Sequence, residues 1–142
     1  MIDQQNPAWG FNWLIVGTDA HAKNYGLLLA GTQVRLAPLY DVASYLPHDD
    51  TDGYKIKLAM KIGDDYKLRR TDRRSAWEHA ADELKLDRWR LVERVVDLAT
   101  CAPDALARAA AETNVEGPES HLPERLAQLV TDRSRQCVAA LT

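Results

Sequence analysis

The stretch that most constrains this chain is polar and short: Thr18-Asp19-Ala20-His21-Ala22-Lys23-Asn24. It lies directly behind an apolar segment in which Trp9, Trp13 and Val16 recur at helical spacing, with Leu14 and Ile15 widening the stripe. Asn6-Pro7 supplies a cap and a first helical residue for that segment, and Gly17 suits its stop. Two apolar runs follow, Tyr25–Leu29 and Val34–Ala37, which read as strands of a hairpin turning through Ala30-Gly31-Thr32-Gln33. The hairpin carries the chain away from Asn24 and brings it back at Leu39-Tyr40-Asp41-Val42. The spacing therefore predicts that Asp41 returns to the edge where Asn24 sits. A carboxylate and an amide oxygen meeting there form a donor set suited to a hard divalent cation.

An Asp with an Asn five positions later is also the arrangement of the catalytic loop in protein kinases. Taken with its surroundings, the segment Trp13–Tyr25 followed by Leu36-Ala37-Pro38-Leu39-Tyr40-Asp41-Val42 resembles the HipA family of bacterial toxin kinases. The close match covers roughly the first third of the chain. Ile56-Lys57-Leu58-Ala59-Met60 and the helical remainder are similar to that family's C-terminal lobe in order and character. The resemblance implies a serine/threonine kinase that uses ATP and Mg2+ and pairs with a DNA-binding HipB antitoxin. It implies that Asp19 accepts or orients the substrate hydroxyl proton and that Asn24 and Asp41 hold magnesium. His21, where many kinases place a phosphate-contacting Lys, either donates to the phosphate or braces the loop. Lys23 points either to phosphate or to solvent.

The departures are equally informative. Val42-Ala43 follows Asp41 in place of the usual kinase Phe-Gly, although Tyr-Asp-Val suits the HipA pattern. Gly17 stands where aminoglycoside-phosphotransferase-type kinases carry a His, which disfavours a small-molecule kinase. The chain carries neither a Gly-rich phosphate loop nor a Walker GKS or GKT, and Asp19 leaves no room before it for an ATP-clamping Lys on a strand. The expectation is one domain over residues 1–142, mainly α with a small β-hairpin element (α+β), resembling a kinase C-lobe without its ATP-covering partner. Two functions from different classes remain open: a kinase lobe that needs a separate N-lobe chain, and a non-catalytic module that binds an antitoxin or partner lobe.

Beyond Asp41, Pro47–Gly53 is acidic and turn-forming, but His48 and Ala59 fall where a calcium loop needs Asp and Glu. It is read as a solvated loop. Ile56, Leu58, Met60 and Ile62 alternate with polar or small residues, a half-buried strand, with a turn at Gly63-Asp64-Asp65 and a short return at Tyr66-Lys67-Leu68. Arg69, Arg70, Arg73 and Arg74 read as a solvated start to the helices beyond. Ser75 and Glu78 fit a capping box; Trp89, Val92, Val95, Val96 and Ala99 form an apolar stripe; Pro103-Asp104 restarts a short helix. Pro123 opens a last helix with Leu126, Leu129, Val130 and Cys137 on its apolar face.

A net charge of -3, from 18 Lys and Arg against 21 Asp and Glu, argues against a general nucleic-acid coat, so any DNA contact is expected to be weak or indirect. Two distant cysteines, Cys101 and Cys137, outside any CxxC spacing, read as thiols of a reducing cytoplasm. The apolar runs are too short to cross a bilayer. A cytoplasmic protein is expected.

Overall fold

The computed structural model describes residues 5–48 and 55–142. Among these residues, five α-helices and two separate two-stranded antiparallel hairpins occur in the order α1 (Gln5–Leu14), β1 (Leu27–Ala30), β2 (Gln33–Leu36), β3 (Lys57–Ile62), β4 (Asp65–Lys67), α2 (Leu68–Thr71), α3 (Arg74–Glu83), α4 (Arg88–Glu112) and α5 (Leu122–Leu141). The architecture is mainly α with small β elements, as the sequence led us to expect. No helix among the described residues is long and apolar enough to cross a membrane.

The core gathers around α1. Trp13, Leu14, Ile15 and Val16 pack with Trp77 and Ala80 of α3, Leu91, Val92, Val95 and Ala99 of α4, and Val130, Cys137 and Leu141 of α5. Trp77 meets Trp9 and Trp13 at ring-centroid distances of 5.1 and 5.0 Å, the latter edge-on, an arrangement that aromatic quadrupoles favour. In β3 the buried positions are Leu58 and Ile62, with Ile56 buried just ahead, so the period-two reading holds.

Several local expectations shift. The first hairpin is two residues tighter than the sequence suggested, because Gly31 takes φ 59 and so permits a two-residue Gly31-Thr32 link between Ala30 and Gln33. The capping box at Ser75 is not formed: Arg73 is the N-cap of α3, and Glu78 instead accepts from Arg74 at 2.8 Å one turn back. A side-chain cap forms instead at α4, where the Asp87 carboxylate accepts from the Arg90 backbone N–H at 2.7 Å. Pro103 does not restart a helix, since α4 runs through it to Glu112. Its buried stripe continues on both sides as Ala99, Ala102 and Ala110, and packing against α5 outweighs the lost N–H.

The inward face of α4 centres on Leu91, Val92, Val95 and Ala99. Trp89, expected on that face, is 64% exposed, while Val96 is only partly buried. On α5 the buried line is Ala127, Val130, Ser134, Cys137 and Leu141 together with Arg133, leaving Leu126 and Leu129 at its edge. The acidic loop after His48 lies outside the described residues, as do the side chains of Asn6 and Pro7.

Candidate functional site

The polar stretch is set by the way α1 ends. Val16 adopts φ 56, a left-handed conformation in which a β-branched residue is strained. The Val16 N–H donates to the Trp13 carbonyl at 3.2 Å and the Gly17 N–H to the Asn12 carbonyl at 2.7 Å, the paired bonds of a Schellman end. Gly17 is therefore not the left-handed residue that its place in the sequence suggested. It is glycine because a Cβ would meet the Asn12 Oδ1 at 3.0 Å and the Asn12 carbonyl at 3.2 Å.

Every carbonyl at this helix end finds a donor. Phe11 accepts from the Ile15 N–H, Asn12 from Gly17, and Trp13 from Val16. Leu14 accepts from Arg133 Nε at 2.8 Å, Ile15 from the Ser44 hydroxyl at 2.5 Å, and Val16 from the Tyr45 N–H at 3.0 Å. The last two bonds fasten the segment just past Asp41 to the residues just before Asp19. This is how the chain closes: helix end, loop, hairpin, and back to the helix end.

Inside that closure the loop is wound tightly. His21 and Asn24 bracket a single 3-10 turn, Ala22–Asn24, with the Asn24 N–H donating to the His21 carbonyl at 2.9 Å. The Asn24 side-chain amide nitrogen donates to the Asp19 carbonyl at 3.1 Å and lies 3.5 Å from Asp41 Oδ2. The spacing brought Asp41 back to the edge of Asn24, but the contact is through the Asn24 amide nitrogen and not, as expected, through its oxygen. The Asp19 carboxylate contacts His21 Nε2 at 3.1 Å, with side-chain exposures of 77% and 46% for Asp19 and His21. Lys23 points no side-chain bond into this group; its carbonyl accepts from the Tyr40 hydroxyl at 3.2 Å. Asp41 itself has φ 52, so the chain is left-handed at both seams of the closure, Val16 and Asp41.

Sequence reasoning missed the supports. Asn12 is a buried polar residue on the apolar face of α1 and donates to the Tyr25 hydroxyl at 2.8 Å, linking helix to loop exit. Burial drives the Tyr25 phenol above its ordinary range, an effect the Asn12 bond moderates. A buried-looking Asn between two tryptophans was a readable signal. Ser44, Asp72 and Arg133 offered none, since their partners lie far away in sequence.

Two hollows flank the first hairpin. One, about 430 Å3, is lined by Trp9, Ala22, Tyr25, Leu27, Met60 and Leu84 among others; the other, about 710 Å3, runs between the hairpin, Phe11 and Leu98. Neither is lined by Asp19, Asn24 or Asp41; Asp19 and Asp41 are exposed and Asn24 is half-buried. A second group of candidate metal ligands, Asp64, His79 and Glu83, brings donor atoms within 4.8 Å of one another. All three are exposed, and Lys61 already holds Glu83 at 2.7 Å, a surface ion pair that lowers the Glu83 pKa and raises that of Lys61.

A family model, the HipA-like C-terminal domain, matches residues 6–106. The chain belongs to that family. Among curated relatives, the candidate kinase Y4mE of Sinorhizobium fredii (strain NBRC 101917 / NGR234) is 30% identical over 104 residues, which are 73% of this chain and 24% of that protein. Among solved structures, a chain of the Shewanella oneidensis MR-1 toxin–antitoxin complex of HipA, HipB and operator DNA matches with a TM-score of 0.71 and 24% identity. That match covers 96% of this chain and 30% of the other, and it shows the fold. This HipA-like domain thus spans well under half the length of both proteins.

Proposed function

We propose that residues 1–142 act as the C-lobe of a HipA-like serine/threonine kinase, contributing to transfer of the ATP γ-phosphoryl group to a protein hydroxyl. The observation that carries this reading is Asn24, whose side chain ties the Asp19 backbone to the edge of Asp41. The amide nitrogen faces both the Asp19 carbonyl and Asp41 Oδ2, so a cation held between the two residues would take the Asn24 amide turned with its oxygen toward the Asp41 carboxylate. A carboxylate and an amide oxygen would suit a hard Mg2+ ion. Bound Mg-ATP supplies charge neutralisation and the transferable group.

The chain's own residues do the rest. Asn24 and Asp41 would hold the metal. Asp19 orients the attacking hydroxyl and accepts its proton, and His21 keeps the exposed Asp19 carboxylate in one orientation while its ring remains within reach of a phosphate. Lys23, exposed at the same turn, lends positive charge to the phosphates.

The shared fold with HipA supports a HipB-like antitoxin as partner, with DNA reached through that partner, and a cytoplasmic setting. The length of the relatives and the bare first hairpin support a further polypeptide over the site: Leu27 is 57% and Leu29 76% exposed. The same hairpin favours the second reading, a lobe that binds an antitoxin or partner lobe without turnover.

Transfer from radiolabelled ATP, assayed with and without a candidate N-lobe chain, separates the two. The kinase reading expects no detectable transfer by the chain alone, restoration on mixing, and a loss of roughly 10²–10⁴-fold in Asp19→Asn. Restoration by no N-lobe leaves the binding module; robust transfer by the isolated chain overturns the split-lobe account.

A further inference from the structure

Arg133, on the last helix, is 7% exposed. Its guanidinium donates from Nε to the Leu14 carbonyl at 2.8 Å and from Nη2 to the Trp13 carbonyl at 3.2 Å. It also donates to both carboxylate oxygens of Asp72, at 3.0 and 2.9 Å. Asp72 in turn accepts from Trp13 Nε1 at 2.9 Å, and the guanidinium lies 5.2 Å from the Trp13 ring centroid. Three elements far apart in sequence are therefore locked at one point, the last two residues of α1.

Burying a guanidinium is costly unless its donors are matched. A hydrophobic residue would fill the same space without that cost. What a hydrophobic residue cannot do is hold two helix-end carbonyls in fixed directions. Those carbonyls lie three and two residues before Val16, whose left-handed backbone aims Gly17, Thr18 and Asp19. Strain of that kind persists only where the surroundings over-determine it. We infer that Arg133, oriented by Asp72, is a positioning residue for the Asp19–Asn24 loop: it fixes the end of α1 so that Asn24 and Asp41 stay together. This rests on the kinase reading of that loop.

The test uses the full chain and Mn2+ as the probe, followed by paramagnetic broadening of the Asn24 side-chain amide and the Asp41 backbone amide in NMR spectra. Near-UV circular dichroism of the buried tryptophans reports folding separately. Arg133→Lys keeps the charge and loses the planar fork. It is expected to stay folded and to bind Mn2+ about 10-fold more weakly, the usual cost of losing a group that orients ligands. Arg88→Lys, in an exposed pair with Asp82, is expected to bind as the parent does. A folded Arg133→Lys with parental affinity overturns the inference. If that variant does not fold, Asp72→Asn replaces it, with weaker Mn2+ binding expected and parental affinity again decisive against. Should Mn2+ broaden neither signal in the parent chain, the kinase reading itself falls, and the inference with it.

Discussion

At the scale of residues, the candidate site is bounded by two strained positions of opposite character. Val16 is buried in the core, so its left-handed backbone is held by packing and hydrogen bonds on all sides. Asp41 is exposed, and little in the core requires an Asp there. Asp41→Gly removes the left-handed penalty of about 1–2 kcal/mol and adds back an entropic cost of about 0.5–1 kcal/mol. The variant is expected to melt within a few degrees of the parent while losing metal binding, and Asp41→Ala, which keeps a Cβ at the same φ, to melt at or slightly below the parent and to lose metal binding too. Thermal unfolding with and without Mg2+ checks this, and a Gly variant that melts far lower would mean that Asp41 is structural. Gly17→Ala pushes a Cβ onto Asn12 and is expected to cost on the order of 1–3 kcal/mol in denaturant unfolding. The two thiols should also separate: Cys101 is exposed, while burial drives the Cys137 thiol up to about 12. A maleimide is expected to label Cys101 in the native chain and Cys137 only after unfolding.

At the scale of elements, α4 gives the clearest contrast. Leu91→Ala, on the buried face, is expected to cost about 2–5 kcal/mol, and Trp89→Ala, two residues earlier, to stay within about 0.5 kcal/mol. Equal effects would mean that α4 is turned about its axis. The misreading of Trp89 has a physical cause: periodicity locates an apolar stripe, but a large aromatic at a helix start lies at the margin of what the neighbouring helices cover. The first hairpin and Asp41 were legible because glycine, spacing and alternation are local signals. The α4 continuation through Pro103 was not, since it depends on α5 arriving to bury the flanking alanines. Nor was the cap of α3, because Glu78 had a nearer use in the Arg74 ion pair. The residues that support the loop lie across the fold from it, and no local pattern announces a partner more than a hundred positions away.

At the scale of the whole molecule, three carboxylates contribute to the acid response. Asp65 is held below its usual carboxylate range chiefly by the Lys67 backbone N–H, Asp82 by Arg88 and Glu83 by Lys61. Their folded-state values are depressed, so their contribution is complete above the unfolded-state values and disappears as pH falls through the lower, folded-state ones. Melting temperature is expected to hold from neutral pH down to about 5 and to drop below about 4, with a shallower drop in high salt because these groups are open to solvent. A profile indifferent to salt would shift the cause to buried groups. The hydrogen bonds from Arg133 to Trp13 and Leu14 carry one more implication, which concerns time. A ribosome makes the Asp19–Asn24 loop long before it makes α5, at about 5–20 residues per second. For those seconds the loop exists as sequence without its clamp. A chain still being synthesised therefore holds every residue of the site and not yet the arrangement, so that a nascent HipA-like lobe is set only once its last helix has docked.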